Sequence, residues 1–290
     1  MYFRRCTVIW QAPIITTVTN NMFDFLALPF MQRALLAGII TAVLVGWVGV
    51  YVVSRRMSFI GEGIANASLT GVALALLAGW APLPVAILVS LLTAAAIFII
   101  ERRTVIASDA AVGILCTSGL ALGVILLRFF QGYQPELVSF LFGNILSIKI
   151  SDLVVTEVFG VIVFLLLAFF TRQLTFMTID PEGGYLHGLS RWGYDLLLYS
   201  VTAVTVVLSI KLLGVILVSA LLVIPSSISK LFSSSFRSFR RNGILLSVVI
   251  VVFGLFLSYW LNLPSGATIV LFGATLFALA SAAHLFIRNQ

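Results

Sequence analysis

Along this chain, long apolar runs alternate with short polar punctuation. Nearly continuous apolar stretches recur at about residues 34–53, 60–79, 84–101, 110–129, 152–171, 193–212, 213–230, 243–261 and 266–286. A helix of about 20 residues covers a hydrocarbon core roughly 30 Å thick, so these stretches predict nine membrane-crossing helices, and the pattern accommodates eight to ten. A membrane β-barrel needs segments of about ten residues that alternate polar and apolar positions. The run "VIVFLLLAFF" at 161–170 does not alternate. Helices are the remaining way to satisfy the backbone in lipid.

Two connections exceed simple turns. Residues 130–151, "FQGYQPELVSFLFGNILSIKIS", contain a moderately apolar piece that predicts a re-entrant or interfacial helix. Residues 172–192, "RQLTFMTIDPEGGYLHGLSRW", form the longest polar segment between apolar runs. Within it Asp180 is a good N-cap, Pro181 a good first helical residue, and Glu182 suits the positive end of a helix dipole. Gly188 is placed to end that helix about two turns later. Gly183 and Gly184 work against it, since glycine is a poor helix former.

Composition strengthens the membrane reading. Hydrophobic residues make up 61% of the 290 and charged residues 9%, against roughly 25% charged in an ordinary soluble domain. The fold class is therefore an all-α polytopic membrane protein. The net charge of +7 need not mean nucleic acid, because basic residues gather in cytoplasmic loops of membrane proteins. With the Arg55–Arg56 loop cytoplasmic, Arg102, Arg103, Arg172, Arg191, Lys230, Arg237, Arg240, Arg241 and Arg288 share that side. Arg4, Arg5, Arg33, Arg128, Lys149 and Lys211 fall on the other, which places the N-terminus outside and the C-terminus in the cytoplasm. Residues 1–21 fit this topology poorly and lack the form of a signal peptide. They read as an N-terminal extension, with Met22 a candidate translation start and residues 22–290 a single transmembrane domain.

No Walker-type glycine loop, HExxH, paired CxxC or GxSxG occurs, which argues against an ATPase or a membrane hydrolase in this chain. His187 and His284 read as solvated or interfacial, and Cys6 and Cys116 as incidental, being far apart. What remains is polar residues at helix breaks, where transport pathways are built. Glu62 and Asn66 are four apart and share one helix face. Around them Gly61, Gly63, Ala67 and Gly71 permit close helix packing or backbone exposure to a cavity. An alternative is that Glu62 pairs with Arg55 or Arg56 at the membrane boundary. A second break is "LLGVILVSALLVIPSSISKLF", where Pro225 interrupts the helix and Ser226, Ser227 and Ser229 could re-satisfy freed carbonyls. The third is "WLNLPSGATIVLFG", where Asn262, Pro264 and Gly266 suit either a ligand role or a tight turn.

The segments "RRMSFIGEGIANASLTGVAL", "SDAAVGILCTSGLALGVILL", "LVSFLFGNILSIKISDL", "LLGVILVSALLVIPSSIS" and "LPSGATIVLFG", in this order, resemble the integral-membrane permease subunits of ABC importers for zinc, manganese and iron. The resemblance runs from about Met22 to the end. It implies a type II ABC importer permease fold in a bacterial plasma membrane. It also implies a second permease subunit, identical or paralogous, two cytoplasmic P-loop ATPase subunits and an extracytoplasmic metal-binding protein. The cargo would be a divalent metal ion, with no permanently bound cofactor and no nucleic-acid partner. Residues 172–192 would be the coupling segment that docks on the ATPase, shaped by Asp180, Pro181, Glu182 and His187. Glu62, Asn66, Asn262 and Ser226 are the pathway candidates, with Glu62 and Asn66 as metal ligands.

This chain departs from the family pattern. Relatives commonly carry aspartate and histidine, in a pattern like G-D-x-x-x-H, where Glu62 and Asn66 stand, and many have aspartate at the position of Asn262. A carboxylate–amide oxygen pair leans toward manganese or ferrous iron rather than zinc. A proton- or sodium-coupled secondary transporter, with Glu62 as the titrating group, and a non-transporting membrane scaffold are the alternatives.

Overall fold

The computed structural model describes residues 29–105, 108–129 and 150–288. They form ten helices: α1 Pro29–Ser54, α2 Ile60–Ala78, α3 Pro82–Arg103, α4 Ser108–Arg128, α5 Ile150–Ile179, α6 Pro181–Leu186, α7 Arg191–Leu213, α8 Val215–Phe232, α9 Phe236–Leu261 and α10 Ser265–Arg288. The described residues contain no strand. The expected interfacial helix at 130–151 and the N-terminal extension fall almost entirely outside the described residues.

Helix ends follow local chemistry. The last turn of α1 closes with the Met57 N–H on Val52 O at 3.0 Å and the Arg56 N–H on Val53 O at 3.3 Å, a Schellman motif. Its left-handed position is occupied by Arg56 at φ 59, a conformation glycine would adopt more easily. At the end of α2 that position is Gly79, φ 69. Pro82 then opens α3 at a position where its missing N–H costs nothing. Hydroxyl caps start α7, where Ser190 accepts from the Gly193 N–H, and α9, where Ser235 accepts from the Ser238 N–H.

Among the described residues, eight helices are long and apolar enough to cross a membrane: α1–α5, α7, α9 and α10. The ninth expected span, α8, has a shorter apolar stretch, Val218–Phe232, bounded by the Gly214 break and carrying Pro225 inside it. The chain nevertheless returns through α8 to the end of the bundle from which α7 departs. Asp195 of α7 pairs with Arg55, while Phe236, just after α8, packs its ring 5.7 Å from that of Tyr51 on the last turn of α1. Phe232 meets His284 near the end of α10 at 5.9 Å, so these helix ends share one face.

Two boundaries differ from the sequence reading. The fifth span ends not at 171 but at Ile179, because the helix continues past Arg172 until Asp180 caps the next one. Likewise α9 begins at Phe236 rather than 243, so Arg237, Arg240 and Arg241 are helical and not loop residues.

Small residues set the helix spacing. A Cβ on Gly119 of α4 would lie 2.8 Å from the Ala67 Cα of α2, and one on Gly71 of α2 would lie 2.8 Å from the Ala86 Cα of α3. Likewise, a Cβ on Gly49 of α1 would lie 2.2 Å from the Leu222 carbonyl oxygen of α8. Without side chains at these points the backbones approach and gain dispersion contacts, which drive helix association where lipid removes the hydrophobic incentive. Large apolar side chains on the outside, such as Leu122 of α4, Phe169 of α5 and Leu279 of α10, are exposed, as a lipid-facing surface requires.

Candidate transport pathway and coupling element

The α2–α4 contact assembles the first group. Glu62 stands in the first turn of α2, exposed, and Asn66 lies one turn further, half-buried. Asn66 donates through Nδ2 to the Cys116 sulfur of α4 at 3.1 Å, and the Cys116 Sγ is 4.0 Å from the Glu62 carbonyl oxygen. The close approach that brings Cys116 here depends on the glycine contact just described, reinforced by Thr70 donating to Gly119 O at 2.5 Å. The group therefore places an exposed carboxylate beside a half-buried amide and a half-buried thiol along the α2–α4 contact. Cys116 belongs to this set although its sequence position gave it no partner. Its only advance signal was a sulfur among the small residues Gly113, Thr117, Ser118 and Gly119.

Glu62 is not held by the arginines that precede it. Arg55 turns instead to Asp195, its Nη1 2.5 Å from Oδ1. Ser226 stands apart from the Glu62 group. It is fully buried at the α1–α8 crossing, and its Oγ would lie 2.7 Å from a Cβ on Gly49. Of Ser226, Ser227 and Ser229, expected to re-satisfy carbonyls freed by Pro225, Ser226 and Ser229 do not. Ser226 Oγ has no partner among the described residues, and Ser229 donates to Phe239 O at 2.7 Å, tying α8 to α9. Asn262 sits at the opposite end of the bundle from Glu62. With φ 52 it takes the left-handed position of a Schellman motif, in which the Leu263 N–H reaches Ser258 O at 3.0 Å. This is the tight-turn alternative, for which asparagine is second to glycine.

The second group lies at the Arg55 end. Asp180 caps α6 by accepting from the Gly183 N–H at 2.9 Å, Pro181 is its first residue and Glu182 lies in its first turn. His187 caps the other end, with Nδ1 2.8 Å from Gly183 O and its ring edge-on to Phe176. Gly188 follows in the left-handed region at φ 77. The glycines that argued against this helix have a use. Gly184 is buried against Met177, whose sulfur would be 2.3 Å from any Cβ there, so α6 can fold back onto α5. Tyr185 and Leu186 point outward, 72% and 84% exposed, on a helix end surrounded by polar groups.

Asp195 ties α7 to the ends of α1 and α3 beside α6. Its carboxylate is 6% exposed and takes Arg55 on one oxygen and Arg102 on the other, with Arg191 3.9 Å away. A buried carboxylate needs such partners to offset its desolvation. Arg55 also donates through Nε to Thr178 Oγ1 at 3.2 Å, and Tyr199 donates to Glu101. Neither Asp195 nor Glu101 stood out in the sequence as a site residue.

Comparison with known proteins follows the same lines. The family model described as the ABC 3 transport family matches residues 27–284. The manganese transport system membrane protein MntC of Halalkalibacterium halodurans is 31% identical over 266 residues, 91% of each chain. The high-affinity zinc uptake system membrane protein ZnuB of Haemophilus influenzae is 30% identical over 247 residues, covering 85% of this chain and 95% of its own. Among solved structures, PsaBC from Streptococcus pneumoniae, in complex with a Fab, superposes with a TM-score of 0.80 at 32% identity, covering 89% of this chain and 93% of that one.

Proposed function

The chain belongs to the ABC 3 transport family, membrane permease subunits whose ATPase is a separate chain, and on that premise we propose that it carries a divalent metal ion, manganese or zinc, into the cytoplasm of a bacterium. The observation that carries the reading is the placement of Glu62, exposed on the outer face of the α2–α4 pair beside Asn66 and Cys116. A carboxylate in the first turn of a membrane helix is costly against lipid, and it is tolerated where it faces a wet cavity or another subunit.

The pathway would run between this permease and a second one, an identical copy or a paralogue. Within the described residues of one chain no three of His, Cys, Asp or Glu converge as a metal site. A pathway at an interface solves this by taking donors from both sides. Incomplete coordination on each side also suits transit, since a cargo ion must be released as readily as it is bound. The Cys116 sulfur changes the donor set from purely oxygen to mixed, which moves the preference away from manganese and toward zinc or ferrous iron.

The end of the bundle carrying Arg55, Arg102, Arg191 and α6 is assigned to the cytoplasm by its basic residues, with the N-terminus outside and the C-terminus inside. An extracytoplasmic binding protein would deliver the ion at the Asn262 end. ATPase subunits would dock on α6, where Tyr185 and Leu186 are available for burial. Elemental analysis of a deletion strain, grown with zinc, manganese and iron limiting in turn, tests the assignment. Lowered content of one of these metals, restored by the wild-type gene, is the expected result, and unchanged content of all three would overturn it.

A further inference from the structure

Arg55 connects parts of the protein that are remote in sequence. Through Nε it holds Thr178, two residues before the Asp180 cap of α6, and through Nη1 it holds Asp195, nine residues after α6 ends. Both flanks of the coupling helix are thus tied to one guanidinium. Arg102 occupies the other Asp195 oxygen, which leaves Oδ1 for Arg55 and fixes the carboxylate between α1 and α3.

Arg55 is also the first residue of the turn that leads into α2. That turn is a stiff connector, because Arg56 is held in the left-handed region and Met57 and Ile60 are buried, with the Ile60 N–H on Met57 O at 3.1 Å. Seven residues after Arg55 comes Glu62. Beside the guanidinium is a cavity of about 230 Å³ lined by Met57, Thr178, Pro181, Asp195 and Tyr199 among others. Arg55 Nη2 is buried without a partner among the described residues. Space and a spare donor give this junction room for a second arrangement, which any element that transmits a displacement needs.

We propose that Arg55 is a positioning residue that locks the coupling helix α6 to the α1–α2 turn, so that movement of α6 reaches Glu62. The proposal rests on the reading of this chain as a metal importer's permease. It requires the guanidinium fork itself, since one group must donate to Thr178 and Asp195 at once. A lysine keeps the charge, but its three N–H donors radiate from one nitrogen, whereas Thr178 and Asp195 are reached from two separate guanidinium nitrogens, Nε and Nη1.

The test uses the complete importer, with its ATPase and binding protein, in proteoliposomes supplied with manganese(II) or zinc(II). In R55K the Asp195 charge stays compensated, and ATP hydrolysis persists while metal moved per ATP falls about tenfold, within the usual range of coupling between sites. T178V, which leaves every charge in place, lowers the same ratio by a smaller factor. R55K and T178V both at the wild-type ratio would overturn the proposal. So would transport and hydrolysis falling in equal proportion, the signature of a merely structural residue. Wild-type vesicles that hydrolyse ATP and move neither metal would overturn the transport reading along with it.

Discussion

Asn66 donates to the Cys116 sulfur across the α2–α4 contact at 3.1 Å, one helical turn from Glu62. This pairing sets a thiol next to the amide and 4.0 Å from the Glu62 backbone carbonyl oxygen, and it gives the group a chemistry that the Glu62–Asn66 pair alone lacks. Exchanging the thiol for a hydroxyl tests it. Cys116→Ser should lower zinc uptake more than manganese uptake, because thiolate suits zinc and oxygen donors suit manganese. Competitive uptake with both metals present measures the ratio, and an unchanged ratio excludes Cys116 from the coordination.

Helix contacts through glycine make a paired stability prediction. Gly49→Ala would drive a Cβ to 2.2 Å from the Leu222 carbonyl oxygen and should destabilise by roughly 1–3 kcal/mol, as overpacking does. Gly113→Ala on α4 meets nothing within 4 Å and should stabilise by about 0.5–1 kcal/mol, the helical preference of alanine over glycine. Thermal unfolding in detergent should shift in opposite directions for the two.

Much of this was legible in the sequence, for identifiable reasons. The spans follow from apolar run length, and the shared face of Glu62 and Asn66 follows from helical periodicity. The start of α6 follows from the order Asp180, Pro181, Glu182. What stayed hidden is long-range. Asp195 lies 140 residues from Arg55 and 93 from Arg102, and Cys116 lies 50 from Asn66. No local pattern relates such positions, and only the packing of α1, α3 and α7, or of α2 on α4, brings them together. The extension of α5 past Arg172 is not legible because Arg172 and Gln173 interrupt the apolar run, while the backbone stays helical through Ile179.

The cap of α6 gives a third prediction. Asp180→Ala removes the acceptor for the Gly183 N–H and should cost about 1 kcal/mol of local stability, while Asp180→Asn, itself a good cap, should cost much less. Hydrogen exchange over 181–187 reads the fraying directly. If α6 is the docking element, co-purification of the ATPase subunit should weaken in the alanine variant and recover in the asparagine one.

The measurement closest to the central claim is ATP-driven uptake of manganese(II) and zinc(II) into proteoliposomes holding the assembled importer, with wild-type permease or Glu62→Gln. Uptake by the wild type, and uptake by the variant no greater than in vesicles without permease, is the predicted result. Equal uptake by the two would remove Glu62 from the pathway, and absence of uptake by the wild type would contradict the assignment of metal as cargo.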